Sequence, residues 1–319
     1  MDFHDAAVRA VETAFAEISQ TPSPLAARTL AWLGKRCDLL NPAAYFTQTQ
    51  SLPLLAFPWW LEESIHAPVE VEFQLDLMYS MVNLYYFTRM LDDVMDGHEI
   101  EPALLPALHP FHVRFMSRYH RHFGPESPFW REFDRLLAIT VETTATEATL
   151  SEFTAGDFLN STALKATAAA IPIAAVCVRF DRLDLLRPWE SMFSLFAKWH
   201  LMRDDLLDWG ADAKAGNPTW LLSEAQRRRS DGESLAEWMG REGFAWVKAI
   251  QKTWLDETIA AAAVLNSPGL LNYLQERERL FSLEIDSMIA MAEACQALRK
   301  VDALLGRGLS SNAPARGVT

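Results

Sequence analysis

A long apolar segment, residues 69–96, constrains the fold of this chain more than any other part of its sequence. The segment exceeds the length of any ordinary strand, and the acidic residues in its first turns are typical of the amino terminus of a helix. We therefore interpret it as a buried central helix that ends at Gly97.

Apolar residues recur at three- and four-residue spacing through most of the remaining chain. This spacing predicts helices, and the Pro-rich segment 41–60 is instead predicted to be a packed connection. Helical patterns with no intervening strands imply a bundle, so the predicted fold is all-α, a single large helical bundle around a central active-site cavity. The further helices are predicted near residues 5–18, 24–33, 101–121, 128–150, 159–180, 188–209, 234–263 and 268–305.

The domain is expected to span residues 1–305. Residues 306–319 are small and polar and contain Pro and Gly, which is typical of a disordered tail.

Charge and cysteine content narrow the function. A net charge of −13 argues against a nucleic-acid partner, because phosphate backbones are bound by concentrated Lys and Arg. The three cysteines are widely spaced, as in a reducing compartment, and there is neither a basic leader nor an evident membrane-spanning run. We therefore expect a cytoplasmic protein with no transmembrane segment.

The first candidate site lies at the end of the central helix, in the sequence LDDVMDG. Asp92 and Asp96 stand four residues apart, so both carboxylates leave one face of the helix, whereas Asp93 is turned about 100° away. Two carboxylates at the carboxyl end of a helix repel each other and oppose the helix dipole. This arrangement calls for a positive partner, although a solvated acidic helix end has the same local pattern.

A second acidic stripe follows in HLMRDDLLDWGAD. Asp204, Asp208 and Asp212 are spaced by four residues along one helix face, and Asp205 points elsewhere. Two apolar helices that each end in an aspartate cluster are less readily explained as coincidence than one. Ligands that are all oxygen select a hard cation such as Mg²⁺, which binds through few carboxylates together with substrate phosphates.

The two clusters, DDVMD and DDLLDWGAD, resemble the two aspartate-rich motifs of the class I isoprenoid synthase superfamily. That superfamily includes class I terpene synthases, trans-prenyl diphosphate synthases and squalene/phytoene synthases. The stretch YYFTRMLDDVMDG is similar to the first motif of the squalene/phytoene branch, and RDDLLDWGADAKAGNPTWLL to the second motif of prenyl diphosphate synthases. The resemblance covers residues 79–97 and 159–222.

The resemblance implies an enzyme that ionises an allylic prenyl diphosphate with three Mg²⁺ ions, for which Mn²⁺ is a substitute. Asp92 and Asp96 would bind two of the ions and Asp204, Asp208 and Asp212 the third. Lys165 stands where the family places a diphosphate-binding lysine, and Arg203 and Arg89, beside the motifs, are weaker candidates for the same role. Relatives often form homodimers, so a homodimer is expected by analogy.

A cyclase pocket has to exclude water and present aromatic faces to a carbocation. Two stripes at helical spacing above the aspartates are candidates for this lining, although such stripes also pack in any bundle core. The candidates are Met81, Leu84, Tyr85 and Thr88 on the first helix, and Phe193, Ala197, His200 and Leu201 on the second.

Departures from the family patterns favour one branch. Chain-elongating relatives carry a Gly-Lys-Arg early in the chain and an Arg pair after the first motif, and here Gly34-Lys35-Arg36 is present but the Arg pair is absent. We therefore expect a terpene synthase that acts on one substrate. The alternatives are a trans-prenyl diphosphate synthase or a squalene/phytoene-type condensing enzyme, and, in another class, a catalytically silent partner subunit.

Overall fold

The computed structural model describes residues 1–20, 23–65, 68–95 and 100–310, with side chains described up to Leu298. These residues form helices joined by short turns, and no strand occurs among them. The predicted all-α class is confirmed.

The first half of the chain contributes helices on both sides of the long central one. They are α1 (Phe3–Ser19), α2 (Pro24–Leu33), α3 (Ala43–Thr47), α4 (Pro53–Ile65), α5 (Val71–Met95), α6 (Leu108–Ser117), α7 (Tyr119–His122) and α8 (Pro128–Glu147). The second half contributes α9 (Ala155–Asn160), α10 (Ile171–Arg179), α11 (Leu186–Ala215), α12 (Trp220–Arg228), α13 (Leu235–Trp238), α14 (Phe244–Ala263) and α15 (Pro268–Ser310). Short 3₁₀ segments cover Pro102–Ala107, Thr162–Ala170 and Leu183–Leu185, and a π-helical turn covers Met239–Gly243.

Several helix ends are fixed by local sequence. The Ser23 hydroxyl accepts a hydrogen bond from the backbone N–H of Ala26, and Pro24 follows at the first helical position, where its missing N–H costs nothing. At the other end of α11, Gly216 has a φ of 81°, a left-handed conformation that glycine adopts without strain. The second acidic stripe therefore ends at a defined carboxyl cap.

Two long helices organise the core. α5 packs against α1, α4 and α6, while α11 packs against α14, α12 and the 3₁₀ segment Thr162–Ala170. The same 3₁₀ segment packs against α8, so it lies between α8 and α11. Buried apolar residues from α1 through α15 form one continuous cluster, which places the carboxyl-terminal ends of α5 and α11 at its margin.

The prediction of an irregular connection over residues 41–60 was wrong, because α3 and most of α4 lie there. Pro53 occupies the start of α4, where no intrahelical N–H is required, and Pro58 lies inside the helix, which continues through it. The carbonyl of Pro58 accepts a hydrogen bond from the Gln74 side chain at 3.2 Å, so α5 supports α4 at this point.

The predicted continuous helix over residues 159–180 is divided in the structure. α9 ends at Asn160, the 3₁₀ segment follows, and Pro172 lies in the first turn of α10. At the other end of the chain, α15 continues to Ser310, five residues past the predicted end at residue 305. The predicted disordered tail falls largely on residues 311–319, which lie outside the described residues.

One segment of the described chain, Ala155–Arg179, is long and apolar enough to cross a membrane by length and composition alone. Of its most apolar window, 67% is buried inside the structure, as in the core helices of folded domains. The segment therefore gives no clear sign of a membrane span.

A buried ion network ties α2 to α5. Asp93 is 1% exposed, accepts a hydrogen bond from the Trp32 indole N–H at 3.0 Å and forms an ion pair with Arg36. The Arg36 guanidinium also lies 4.3 Å from the Trp32 ring centroid. The second aspartate of LDDVMDG thus serves the packing of the helices.

We predict that Asp93→Ala destabilises the fold, because it leaves the Arg36 guanidinium and the Trp32 N–H without their acceptor. Removing one partner of a buried ion pair costs roughly 3 kcal/mol. The matched control is Glu72→Ala on the same helix, whose side chain is 82% exposed and pairs only loosely with Arg9. Urea unfolding should show a large shift of the midpoint for Asp93→Ala alone, and equal midpoints for both variants would contradict this role.

Candidate active site

The carboxyl end of α5 presents its two described aspartates in different directions. Asp93 points into the network with Trp32 and Arg36, whereas Asp92 is half-buried and interacts electrostatically with Lys165. The sequence prediction that these two carboxylates diverge is consistent with this arrangement. Asp96, the other predicted metal ligand of the motif, lies outside the described residues.

The acids of α11 lie along its last three turns. Asp204 and Asp208 are exposed, while Asp205 and Asp212 are half-buried. Asp204 raises the pKa of Asp208, after the larger effect of burial. The side chain of Asp205 leaves the helix on another side than those of the predicted stripe, and it interacts with Lys165.

Lys165 brings the two acidic clusters together. Its Nζ lies 2.9 Å from Oε1 of Glu147, at the end of α8. Burial lowers the pKa of Lys165, but the carboxylates of Glu147, Asp92 and Asp205 outweigh burial and raise it overall. One ammonium group is therefore influenced by carboxylates from α5, α8 and α11, so the ends of these helices share one space.

Negative charge is in excess around this lysine. Burial raises the pKa of Asp205 to about 8, Lys165 opposes the shift, and the carboxylates of Asp204 and Asp212 reinforce it. A buried carboxyl group that lies beside other carboxylates binds a proton where no further cation is present. The cluster can therefore accept further positive charge.

Arg89 and Tyr85 extend the α5 side of the site toward α11. Arg89 is exposed, lies 3.6 Å from Asp93 and also lowers the pKa of Asp208. Burial raises the pKa of Tyr85, whose hydroxyl is 2.6 Å from that of Tyr45, and Asp204 adds to the shift. Arg89 and Tyr85 thus lie within electrostatic reach of the α11 acids.

Arg203 is placed differently from the sequence expectation. Its guanidinium is buried and makes a bidentate ion pair with Glu284 of α15, at 3.1 Å from Nε and 2.9 Å from one terminal nitrogen. The role of Arg203 in binding diphosphate stays a prediction. Its ion pair with Glu284 disfavours that role, because the guanidinium already has a carboxylate partner.

The predicted lining residues divide into two groups. Met81, Leu84, Phe193 and Ala197 are buried in the continuous apolar core. The others, Tyr85, Thr88, His200 and Leu201, are partly exposed.

The predicted central cavity stays a prediction. Two clefts in the described part of the chain lie elsewhere, one near Ile18 and Phe111 and the other near Trp209 and Met288. Neither is lined by the site's aspartates or by Lys165.

The residues present fit a Mg²⁺ ion only if another ligand completes its shell. The available donors are carboxylate oxygens, which suit this hard ion. Burial raises the pKa of Asp205 and its acidic neighbours add to the shift, so a bound cation would reduce the repulsion between these carboxylates. Among the described residues, no three His, Cys, Asp or Glu side chains are grouped closely enough to hold a metal ion unaided. Each ion would therefore be shared between few carboxylates and the oxygens of a bound anion.

Two residues of this site, Glu147 and Asp205, are not among the site residues predicted from the sequence. Glu147 lies eighteen residues before Lys165, and its only sequence signal was that a lysine in apolar surroundings requires a partner. Asp205 lies off the four-residue spacing of the predicted stripe, and its only signal in the sequence is its place next to Asp204 within RDDLLD.

Comparisons of this chain with protein-family models, with curated proteins and with solved structures found no match. The function is therefore inferred from the residues and their arrangement.

The raised pKa of Asp205 predicts a pH dependence of stability in EDTA. Because the folded state holds the Asp205 proton up to about pH 8 and the unfolded state releases it near its ordinary value of 3.8, stability is lost as the pH rises between these values. Asp205→Asn should flatten that loss and raise the urea midpoint at pH 8 more than at pH 5. A variant whose midpoint changes equally at both values would show that Asp205 ionises normally.

Proposed function

We propose that this protein is a Mg²⁺-dependent enzyme of the class I isoprenoid synthase type that ionises an allylic isoprenoid diphosphate. The observation that carries the proposal is the position of Lys165, whose ammonium group interacts with Asp92 of α5 and Asp205 of α11. A surplus of carboxylates around one ammonium group suits a substrate that arrives with divalent cations. A solvated acidic helix end would require neither the second helix nor a half-buried lysine between the two.

In this proposal the metal ligands are Asp92, Asp204, Asp208 and Asp212, together with Asp96, which lies outside the described residues. Mg²⁺ supplies charge neutralisation of the leaving diphosphate when it is bound. Three ions, and Mn²⁺ as a substitute, remain expectations from the resemblance.

The chain's own groups bind and orient the substrate. Lys165 is positioned to bind a diphosphate oxygen when the anion replaces Glu147 as its partner, and Arg89 can approach from the α5 side. The ring of Tyr85, held by its hydrogen bond to Tyr45, can shield the site from water and offer a π-face to positive charge. Breaking the allylic C–O bond leaves the electron pair on the diphosphate, next to these cations.

Arg36 favours a single-substrate cyclase over a condensing enzyme. A second diphosphate would need Arg36 of the Gly34-Lys35-Arg36 sequence, but this guanidinium pairs with the buried Asp93. Lys35 is exposed beside it and offers one cation only.

The test is incubation of the protein and Mg²⁺ with allylic diphosphates of several lengths, each with and without isopentenyl diphosphate. We expect a neutral hydrocarbon or alcohol and free diphosphate from one allylic substrate alone. Products should be identified by mass spectrometry of the organic and aqueous phases. Longer diphosphates that form only with isopentenyl diphosphate would support the condensing alternative, and no turnover of any substrate would support the silent subunit.

Variants connect that turnover to the site. Asp92→Asn and Asp208→Ala should each reduce the turnover number by at least about a hundredfold, because each removes charge that stabilises the leaving group. The matched control is Asp134→Asn, which changes an exposed aspartate on α8 and should leave turnover unchanged. Near-normal turnover in a folded Asp92→Asn enzyme would exclude the first motif from the reaction.

A further inference from the structure

A second polar cluster lies between α11 and α15. Arg203 and Asp205 are two residues apart on α11, so their side chains leave the helix about 200° apart by the helical period. Asp205 interacts with Lys165, whereas Arg203 contacts Glu284 of α15. The second cluster is therefore on the side of α11 that faces away from Lys165.

Arg277 is the unusual member of this cluster. It occupies a position in the buried stripe of α15, between Leu274 and Phe281, and is itself 3% exposed. Its Nε has no hydrogen-bond partner, and within the described chain the guanidinium forms no ion pair. Its one direct contact of note is with the Trp199 ring, whose centroid is 5.2 Å away. A buried charge without a counter-ion is costly and calls for a partner.

The nearby carboxylates offset this charge only in part, because each of them is paired with another arginine. Glu284 is held by Arg203 through three hydrogen bonds, and Glu276 by Arg279 at 2.7 Å and 2.8 Å. Two buried guanidinium groups therefore share one carboxylate, which leaves one positive charge in excess.

His200 adds a neutral donor to the cluster. Its ring stacks on Phe196 with centroids 5.6 Å apart. Burial lowers the pKa of His200 to about 4, with further contributions from Arg203 and Arg277, so the ring is uncharged near neutral pH. A neutral imidazole has one N–H to donate and adds no charge that an anion would have to match.

We propose that Arg277 and His200 form a binding site for a small oxyanion of the phosphate or carboxylate class, which Arg203 joins when the anion displaces Glu284 from it. The planar guanidinium of arginine can donate two parallel hydrogen bonds to two oxygens of such an anion. The aromatic rings of Phe196, Trp199 and Tyr273 pack beside the cluster, and their low polarity strengthens a pairing made there. The site requires no metal, and it is independent of the proposed diphosphate chemistry.

The test is calorimetric titration of the full chain with inorganic phosphate and, separately, with acetate, in EDTA and at constant ionic strength. We expect saturable binding at one site, and the tighter of the two anions identifies the class of the natural ligand. Arg277→Met should weaken the affinity at least tenfold. The matched control Asp134→Asn, at an exposed aspartate on α8, should leave the affinity unchanged within twofold. Because EDTA removes divalent cations, failure of the metal-dependent reaction would not affect this result.

A second variant keeps the test decisive if Arg277→Met does not fold. Glu284→Gln removes the carboxylate that competes for Arg203, so it should tighten anion binding at least threefold. Absence of saturable binding of either anion to the parent protein would overturn the proposal. So would parent-like affinity in a folded Arg277→Met variant, or unchanged or weaker affinity in Glu284→Gln.

Discussion

The buried carboxylate of Asp93 sets the orientation of the candidate site. Because Asp93 is held by Trp32 and Arg36, α5 cannot rotate about its axis without exposing a charge that the fold has enclosed. The preceding residue, Asp92, then leaves the helix in another direction and interacts with Lys165. One pair of adjacent aspartates thus combines a structural anchor with the carboxylate that we propose as a metal ligand, and their divergence follows from the helical period.

The carboxylates that α5, α8 and α11 bring together around Lys165 are the basis for the proposed binding of divalent cations. Lys165 offsets part of their negative charge, but Asp205 still has a pKa raised to about 8, first by burial and then by its acidic neighbours. Such an arrangement is unfavourable for the empty protein and becomes favourable when divalent cations enter with an anion. On the other side of α11, the cluster around Arg277 has an excess of positive charge. This helix therefore separates an acidic region from a basic one.

The sequence predicted the all-α class, the central helix and the divergence of Asp92 from Asp93, because these follow from helical periodicity and from the length of apolar runs. It did not predict α3 and α4, since three prolines within residues 41–60 suggested an irregular segment, whereas Pro53 lies at a helix start and Pro58 is tolerated inside α4. Contacts between segments far apart in the sequence could not be predicted from local patterns either. The pairing of Arg203 with Glu284, eighty-one residues later, and that of Lys165 with Glu147 depend on how helices pack.

The central claim is that carboxylates of α5 and α11 hold divalent cations jointly with a diphosphate. Calorimetric titration of a non-reactive allylic diphosphate analogue at several Mg²⁺ concentrations tests it most directly, because binding of metal and of anion must then raise each other's affinity by the same factor. The account predicts that the analogue's affinity rises at least tenfold with Mg²⁺ in the parent protein, and that this increase is largely lost in Asp208→Ala. An affinity that stays the same at every Mg²⁺ concentration would contradict it.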